Sequence, residues 1–129
     1  MASIFSKIIA GEIPCHRIAE NDEFLAFLDI NPLAEGHTLV IPKTEVDYFF
    51  DLDAGLLSRI NLFARDVAQK IETAIPCKRV GVTVIGLEVP HAHMHLIPLQ
   101  NVADINFERP KLTFTAEELA ATAERIKRA

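Results

Sequence analysis

Cysteine, positive charge and long apolar runs are all scarce in this 129-residue chain. There are two cysteines, Cys15 and Cys77, far apart and without CxxC spacing. That excludes a cysteine-built zinc module and a disulfide scaffold, and the two read as reduced thiols of a cytoplasmic protein. Thirteen Lys and Arg against 18 Asp and Glu leave a formal net charge of −5. A general nucleic-acid or anionic-membrane binder would carry a basic face, so both classes are excluded as partners. No apolar stretch approaches the ~20 residues of a membrane span. The opening Met1-Ala-Ser-Ile-Phe-Ser-Lys7 lacks the apolar segment of a secretory signal. There is no repeat, low-complexity tract or linker, and half of the residues are hydrophobic, enough for one core. The expectation is a single domain over residues 1–129.

Hydrophobic periodicity supplies the elements. Ile4 to Ile9 carries apolar residues at helical spacing and stops before Gly11. His16–Glu20 and Phe24–Leu28 read as a hairpin across Asn21-Asp22, and His37–Pro42 as a third strand closed by its proline. From Ala54 to Thr73, Leu56, Leu57, Ile60, Leu62, Phe63, Val67 and Ile71 form the broad apolar stripe of a long helix, capped by Asp51 or Asp53. Arg79–Ile85 is β-branched and strand-like, and His93–Leu99 is the last strand. Residues 100–114 are irregular. Thr115-Ala-Glu-Glu118 is a capping-box pattern that opens a C-terminal helix to about Lys127. This order predicts an α+β fold with a mainly antiparallel sheet and helices gathered on one side.

The chemistry concentrates in His91-Ala-His93-Met-His95, which holds three of the five histidines. Alternation is the period of a strand, so the three imidazoles should share one face. Burying a strand face selects aliphatic residues, so a structural role alone explains the cluster poorly. Two readings remain open from the residues. His91 and His93 can share a metal with a third ligand such as His37 or Glu88. Alternatively, one imidazole attacks phosphorus while its neighbours orient it and hold the phosphate oxygens, with the turn at Gly86 presenting backbone N–H groups.

His91-Ala-His93-Met-His95-Leu-Ile97 resembles the His-φ-His-φ-His-φ-φ signature of the histidine-triad (HIT) superfamily of nucleotide hydrolases and transferases. Ile4–Pro14, Phe24–Ile30 and Gly36–Lys43 resemble the family's preceding blocks in the same order, so the likeness covers roughly residues 4–100. The single-domain length resembles the Hint-type and Fhit-type branches. The resemblance implies a HIT-like fold with its core at about 4–100 and a tail and helix at about 101–129. It also implies a homodimer joining two sheets, with the Val80–Ile85 strand and the long helix offering interface material.

The implied substrate is a purine nucleotide, an AMP derivative above all, cleaved at its α-phosphate through a covalent nucleotidyl-histidine, with no cofactor and no catalytic metal. His93 is implied as the attacking residue and His95 as the contact to phosphate and leaving group. His91 and His37 support the ring network. Asp29 matches the acceptor of the ribose hydroxyls, although an Asp ahead of Asn31-Pro32 also suits a turn. Ile4, Phe5, Ile8, Phe27, Ile30 and Leu39 match positions that wall the base pocket.

Two departures stand out. Gly86-Leu-Glu-Val-Pro90 replaces a longer Gly-rich phosphate loop, and the Glu88 carboxylate would repel an α-phosphate. Ser3-Ile-Phe-Ser6 stands where many bacterial relatives carry Cys-x-x-Cys and a structural zinc, and hydroxyls are poor zinc ligands, so no such zinc is expected. Two rival functions keep the same cluster: a metal-dependent hydrolase and a non-catalytic nucleotide sensor.

Overall fold

A computed structural model describes residues 2–129. In chain order the elements are α1 (Ile4–Ile9), β1 (Arg17–Glu20), β2 (Phe24–Leu28), β3 (Thr38–Pro42), α2 (Ala54–Ala74), β4 (Arg79–Thr83), β5 (Met94–Leu99) and α3 (Ala116–Arg128). Short 3₁₀ turns at Phe49–Asp51 and Val102–Ile105 punctuate stretches that read as loops in the sequence. The sheet runs β1-β2-β3-β5-β4, and every neighbouring pair is antiparallel. The α+β expectation is thus met.

Local chemistry sets the helix ends. Asp53, rather than Asp51, caps α2 by accepting the Leu56 N–H. Thr115 and Glu118 form the reciprocal capping box of α3. The buried stripe of α2 is Ile60, Ala64, Val67 and Ile71, and that of α3 includes Leu119, Ala123 and Ile126. Both stripes pack on the sheet face that presents Phe24, Ala26, Leu28, Val40, Met94 and Leu96. The C-terminal helix is therefore part of the main core rather than an appendage.

Helices do not all lie on one side. Every residue of β2 and of β3 is buried, so neither strand has a face fit for water. The second face, with Leu25, Phe27, Leu39 and Ile41, needs its own cover, and α1 supplies it through Phe5 and Ile8. Leu39 stands opposite both Phe27 and His95 in the sheet register, which puts α1 beside the histidines.

Four strand boundaries also move. β1 begins at Arg17 rather than His16, β3 at Thr38 rather than His37 and β5 at Met94 rather than His93, while β4 ends at Thr83 rather than Ile85. β3 runs on to Pro42 against β2, but its last partner on β5 is Met94, opposite Val40. Beyond it the Ala92 N–H bonds to the Val46 carbonyl, and the His91 ring takes the Pro42 carbonyl. His91 and His93 therefore lie in an unladdered lead-in to the strand. Gly86 turns the chain into that lead-in at φ +72°, a conformation costly for a residue with a Cβ. Cys15 and Cys77 are both free thiols. Among the described residues no helix is long and apolar enough to cross a membrane.

Candidate active site

The histidines assemble around Phe5 and each other. The His93 and His95 ring centroids are 5.0 Å apart, and those of His37 and His95 are 5.2 Å apart. Phe5 meets His93 and His91 edge-on at 5.1 and 5.9 Å. All four histidines are buried. Burial pushes His37 down to about 3 and His95 down to about 4, each helped by a neighbouring imidazole and by Lys111. Burial also lowers His91. These three rings are neutral near pH 7.

Neutral imidazoles have one N–H and one lone pair each, so their hydrogen bonds assign the protons. A backbone N–H can only donate. The Leu33 N–H meets His37 Nδ1 at 3.0 Å, so the proton of His37 is on Nε2. That Nε2–H donates to His95 Nδ1 at 3.0 Å, which leaves the His95 proton on Nε2. A carbonyl can only accept. The His93 Nδ1–H donates to the His91 carbonyl at 2.8 Å, so in the neutral ring the lone pair is on Nε2. The His91 Nε2–H donates to the Pro42 carbonyl at 2.8 Å, and His91 Nδ1 accepts from the Ser3 hydroxyl at 2.8 Å. Two nitrogens have no protein partner: the bare His93 Nε2 and the His95 Nε2–H. Among the described residues no fully buried side-chain nitrogen or oxygen lacks a partner, so both reach solvent.

His93 and His95 both line a cleft of about 200 Å³ bordered by Asp29, Gly86, Glu88, Phe107 and Lys111, and His93 also lines a neighbouring cleft with Tyr48 and Phe50. Asp29 forms the turn that its place ahead of Asn31-Pro32 suggested. Its Oδ1 accepts the Asn31 N–H at 2.9 Å, forming the turn, while Oδ2 faces the histidines, 3.6 Å from His37 Nε2. Burial raises the Asp29 pKa. The remaining predicted residues separate into two groups. Phe5, Ile8, Phe27 and Leu39 are buried in the core layer under α1, and only Ile4 and Ile30 are exposed, at 49% and 64%.

Phe107 and Lys111 carried no sequence signal. They sit in the irregular stretch after β5, and only the chain's return brings them here. Phe107 packs edge-on to His95 with centroids 4.7 Å apart. The Lys111 ammonium donates to the Phe107 carbonyl at 2.6 Å and lies 5.2 Å from that ring's centroid.

Metal binding is a poor fit at all three candidate places. Asp29, His37 and His95 bring donor atoms within 4.8 Å of one another. Yet the nearest His37 atom, Nε2, already carries the proton, and a cation there would require imidazolate or loss of the Leu33 bond. His91 cannot pair with His93 on a metal, because Ser3 occupies its lone pair. At the N-terminal block, Ser3 and Ser6 give hydroxyls already hydrogen-bonded to His91 and Glu45. That set does not suit zinc either.

A family model described as HIT domain matches residues 10–102. An uncharacterized HIT-like protein of Helicobacter pylori is 39% identical over 98 residues, 74% of this chain and 94% of its own. Adenosine 5'-monophosphoramidase hnt1 of Schizosaccharomyces pombe is 33% identical over 98% of this chain and 96% of its own. The crystal structure of a Hit-like protein involved in cell-cycle regulation from Bartonella henselae has a TM-score of 0.84 at 31% identity. That match covers 98% of this chain and 95% of the other.

Proposed function

This chain belongs to the HIT family, and from that premise we propose that it is a nucleotide hydrolase acting through a covalent nucleotidyl intermediate on His93. The observation that carries the reading is the proton assignment: His93 Nε2 is a lone pair facing the cleft while its Nδ1–H is held by the His91 carbonyl. That nitrogen attacks the α-phosphorus. The P–N bond forms as the bond to the leaving group breaks, and the leaving atom departs with that electron pair. The His95 Nε2–H hydrogen-bonds to the departing atom, which takes a proton from water. The positive charge on His93 rests against the His91 carbonyl. Water then attacks the same phosphorus, the P–N pair returns to Nε2, and a proton leaves to solvent. One water is consumed, and a nucleoside monophosphate and the protonated leaving group are released.

Asp29 Oδ2 is free to accept a ribose hydroxyl in this arrangement. The exposed Ile4 and Ile30 offer apolar surface for a purine. The likeness to an adenosine 5'-monophosphoramidase supports an AMP derivative with an amine leaving group. The functional unit is a homodimer in this reading. β4 is an edge strand with Val82 57% exposed, and Leu62 on α2 is 53% exposed, so a second copy can extend the sheet.

Mass spectrometry after brief incubation with adenosine phosphoramidate tests the chemistry. A nucleotidyl group on the peptide bearing His93 is expected; turnover with the adduct on another residue, or no turnover, overturns the reading. The cleft's two opposed charges make a second prediction. Lys111→Ala removes the cation near the phosphate and raises KM about 5- to 10-fold. Glu88→Ser removes the repelling carboxylate and raises kcat/KM. Steady-state kinetics on both variants check the signs, and unchanged or lower turnover in Glu88→Ser counts against repulsion.

A further inference from the structure

Ser3, Ser6 and Glu45 carry a network that the hydrolytic steps do not use. The Glu45 Oε1 atom accepts the Ser3 backbone N–H at 2.6 Å and the Ser6 hydroxyl at 2.6 Å. Ser3 Oγ accepts the Ser6 N–H at 3.0 Å, which caps α1, and spends its single proton on His91 Nδ1 at 2.8 Å. Ser6 Oγ lies farther from the same nitrogen, at 3.4 Å, with its proton committed to Glu45. Ser3 is 6% exposed and His91 is fully buried. The Ser6 proton goes to Glu45, and the Ser3 hydroxyl bonds His91 Nδ1 while also helping to hold the Glu45 carboxylate. The Ser3 N–H, with the Ser6 hydroxyl, holds the Glu45 carboxyl down at about 2, so it is a charged acceptor throughout the working range.

We propose that Ser3, Ser6 and Glu45 form a metal-free hydrogen-bonded clasp that positions His91 and, through the His91 carbonyl, the attacking ring of His93. Both ends of the His91 ring are tied to the exit of β3. Nε2 bonds to the Pro42 carbonyl directly, and Nδ1 bonds through Ser3 to Glu45, three residues further on. With the ring held at both nitrogens, its own carbonyl is a fixed acceptor for the His93 Nδ1–H. The clasp also seats α1, whose Phe5 packs against His93. A bound metal at this place would tether the same segments through His91 Nδ1. Here a serine hydroxyl fills that lone pair, so the tether is made of hydrogen bonds alone. Removing the Ser3 hydroxyl leaves a buried nitrogen without a donor and frees the ring to reorient.

The role in turnover rests on the hydrolase reading, whereas the clasp itself has a readout independent of activity. In ¹⁵N imidazole spectra of the full chain, His91 is expected as a single Nε2–H tautomer. Ser3→Ala keeps the Nε2–H on the Pro42 carbonyl but removes the donor to Nδ1, so the His91 Nδ1 resonance is expected to shift to the position of an unbonded lone pair, with kcat toward adenosine phosphoramidate about 10-fold lower and KM within 2-fold. Ser3→Thr keeps the hydroxyl and is expected to restore both. Glu45→Ala, at an exposed position, is expected to move the Nδ1 resonance and kcat in the same direction and serves if Ser3→Ala fails to fold. A His91 Nδ1 resonance unchanged in Ser3→Ala and Glu45→Ala overturns the clasp whatever the activity. So does stoichiometric zinc in the wild type whose chelation alters the His91 signals. A shifted Nδ1 resonance with kcat unchanged overturns the positioning role alone. A parent without turnover refutes the hydrolase reading and with it the kinetic role, and the clasp is then decided by the spectra.

Discussion

Replacing His93 by asparagine is expected to lower turnover of an adenylate substrate by about 10⁴-fold or more, while AMP affinity changes only a few-fold. The asparagine amide can still donate to the His91 carbonyl, so the local hydrogen bond and packing survive. What is lost is the lone pair on Nε2 that would form the bond to phosphorus. The residual rate would come from water attack aided by the His95 Nε2–H and Lys111, neither of which can form the intermediate. The measurement is single-turnover kinetics with calorimetric AMP binding on the same preparation. A variant retaining more than about a tenth of the wild-type rate would mean that water attacks phosphorus directly. A parent that binds AMP but turns nothing over would identify a nucleotide sensor built on the same pocket.

The second large effect is on stability in mild acid. His37 and His95 titrate at about 3 and about 4 in the folded chain, because burial penalises their charged forms. In the unfolded chain both titrate near ~6.5. Below that pH the unfolded state binds protons that the folded state cannot, so stability falls as pH falls from about 6.5 toward about 4. At about 1.4 kcal/mol per pH unit per group, the loss between pH 7 and pH 4.5 is on the order of 3–5 kcal/mol. Asp29 works in the opposite sense. Its raised pKa lets the folded state take up a proton early, which offsets a little of the loss. Glu45 adds its own acid sensitivity only below its unfolded range, as pH drops toward about 2. Urea unfolding at pH 7, 5.5 and 4.5 reads the slope, and His37→Leu is expected to remove roughly half of it. A free energy of unfolding constant across that window would mean that the four-histidine cluster takes up protons without opening.

How much of this was legible beforehand depends on the range of the interaction. The helices α2 and α3 announce themselves because a 3.6-residue stripe and its caps are local properties: Asp53 bonds Leu56, and Thr115 bonds Glu118. The strands β2 and β3 are equally plain as short apolar runs. The face covered by α1 was not, because the same apolar residues that line a base pocket also build a core. Phe5, Ile8, Phe27 and Leu39 turned out to be packed together under α1. The start of β5 was misplaced because its pairing with β3 stops at Met94 and the Ala92 N–H goes to the Val46 carbonyl instead, a partner no local pattern reveals.

The site divides along the same line. The spacing of His91, His93 and His95 gathered three imidazoles but left metal and phosphate chemistry open, and it was the resemblance of the neighbouring blocks, with His37 and Asp29, that pointed to phosphate. Glu45, Phe107 and Lys111 could not be read this way. Glu45 is 42 residues from Ser3 along the chain, and no periodicity connects them.

The sequence by itself determined the class of fold, the helix ends and the set of imidazoles, because each follows from contacts within a few residues. Only the tertiary structure decided which nitrogen of each imidazole carries the proton. That depends on partners the chain brings in from afar: the Pro42 carbonyl and Ser3 hydroxyl for His91, and His37, itself fixed by the Leu33 N–H, for His95. A histidine's identity is local, but its tautomer is set by what lies across from it.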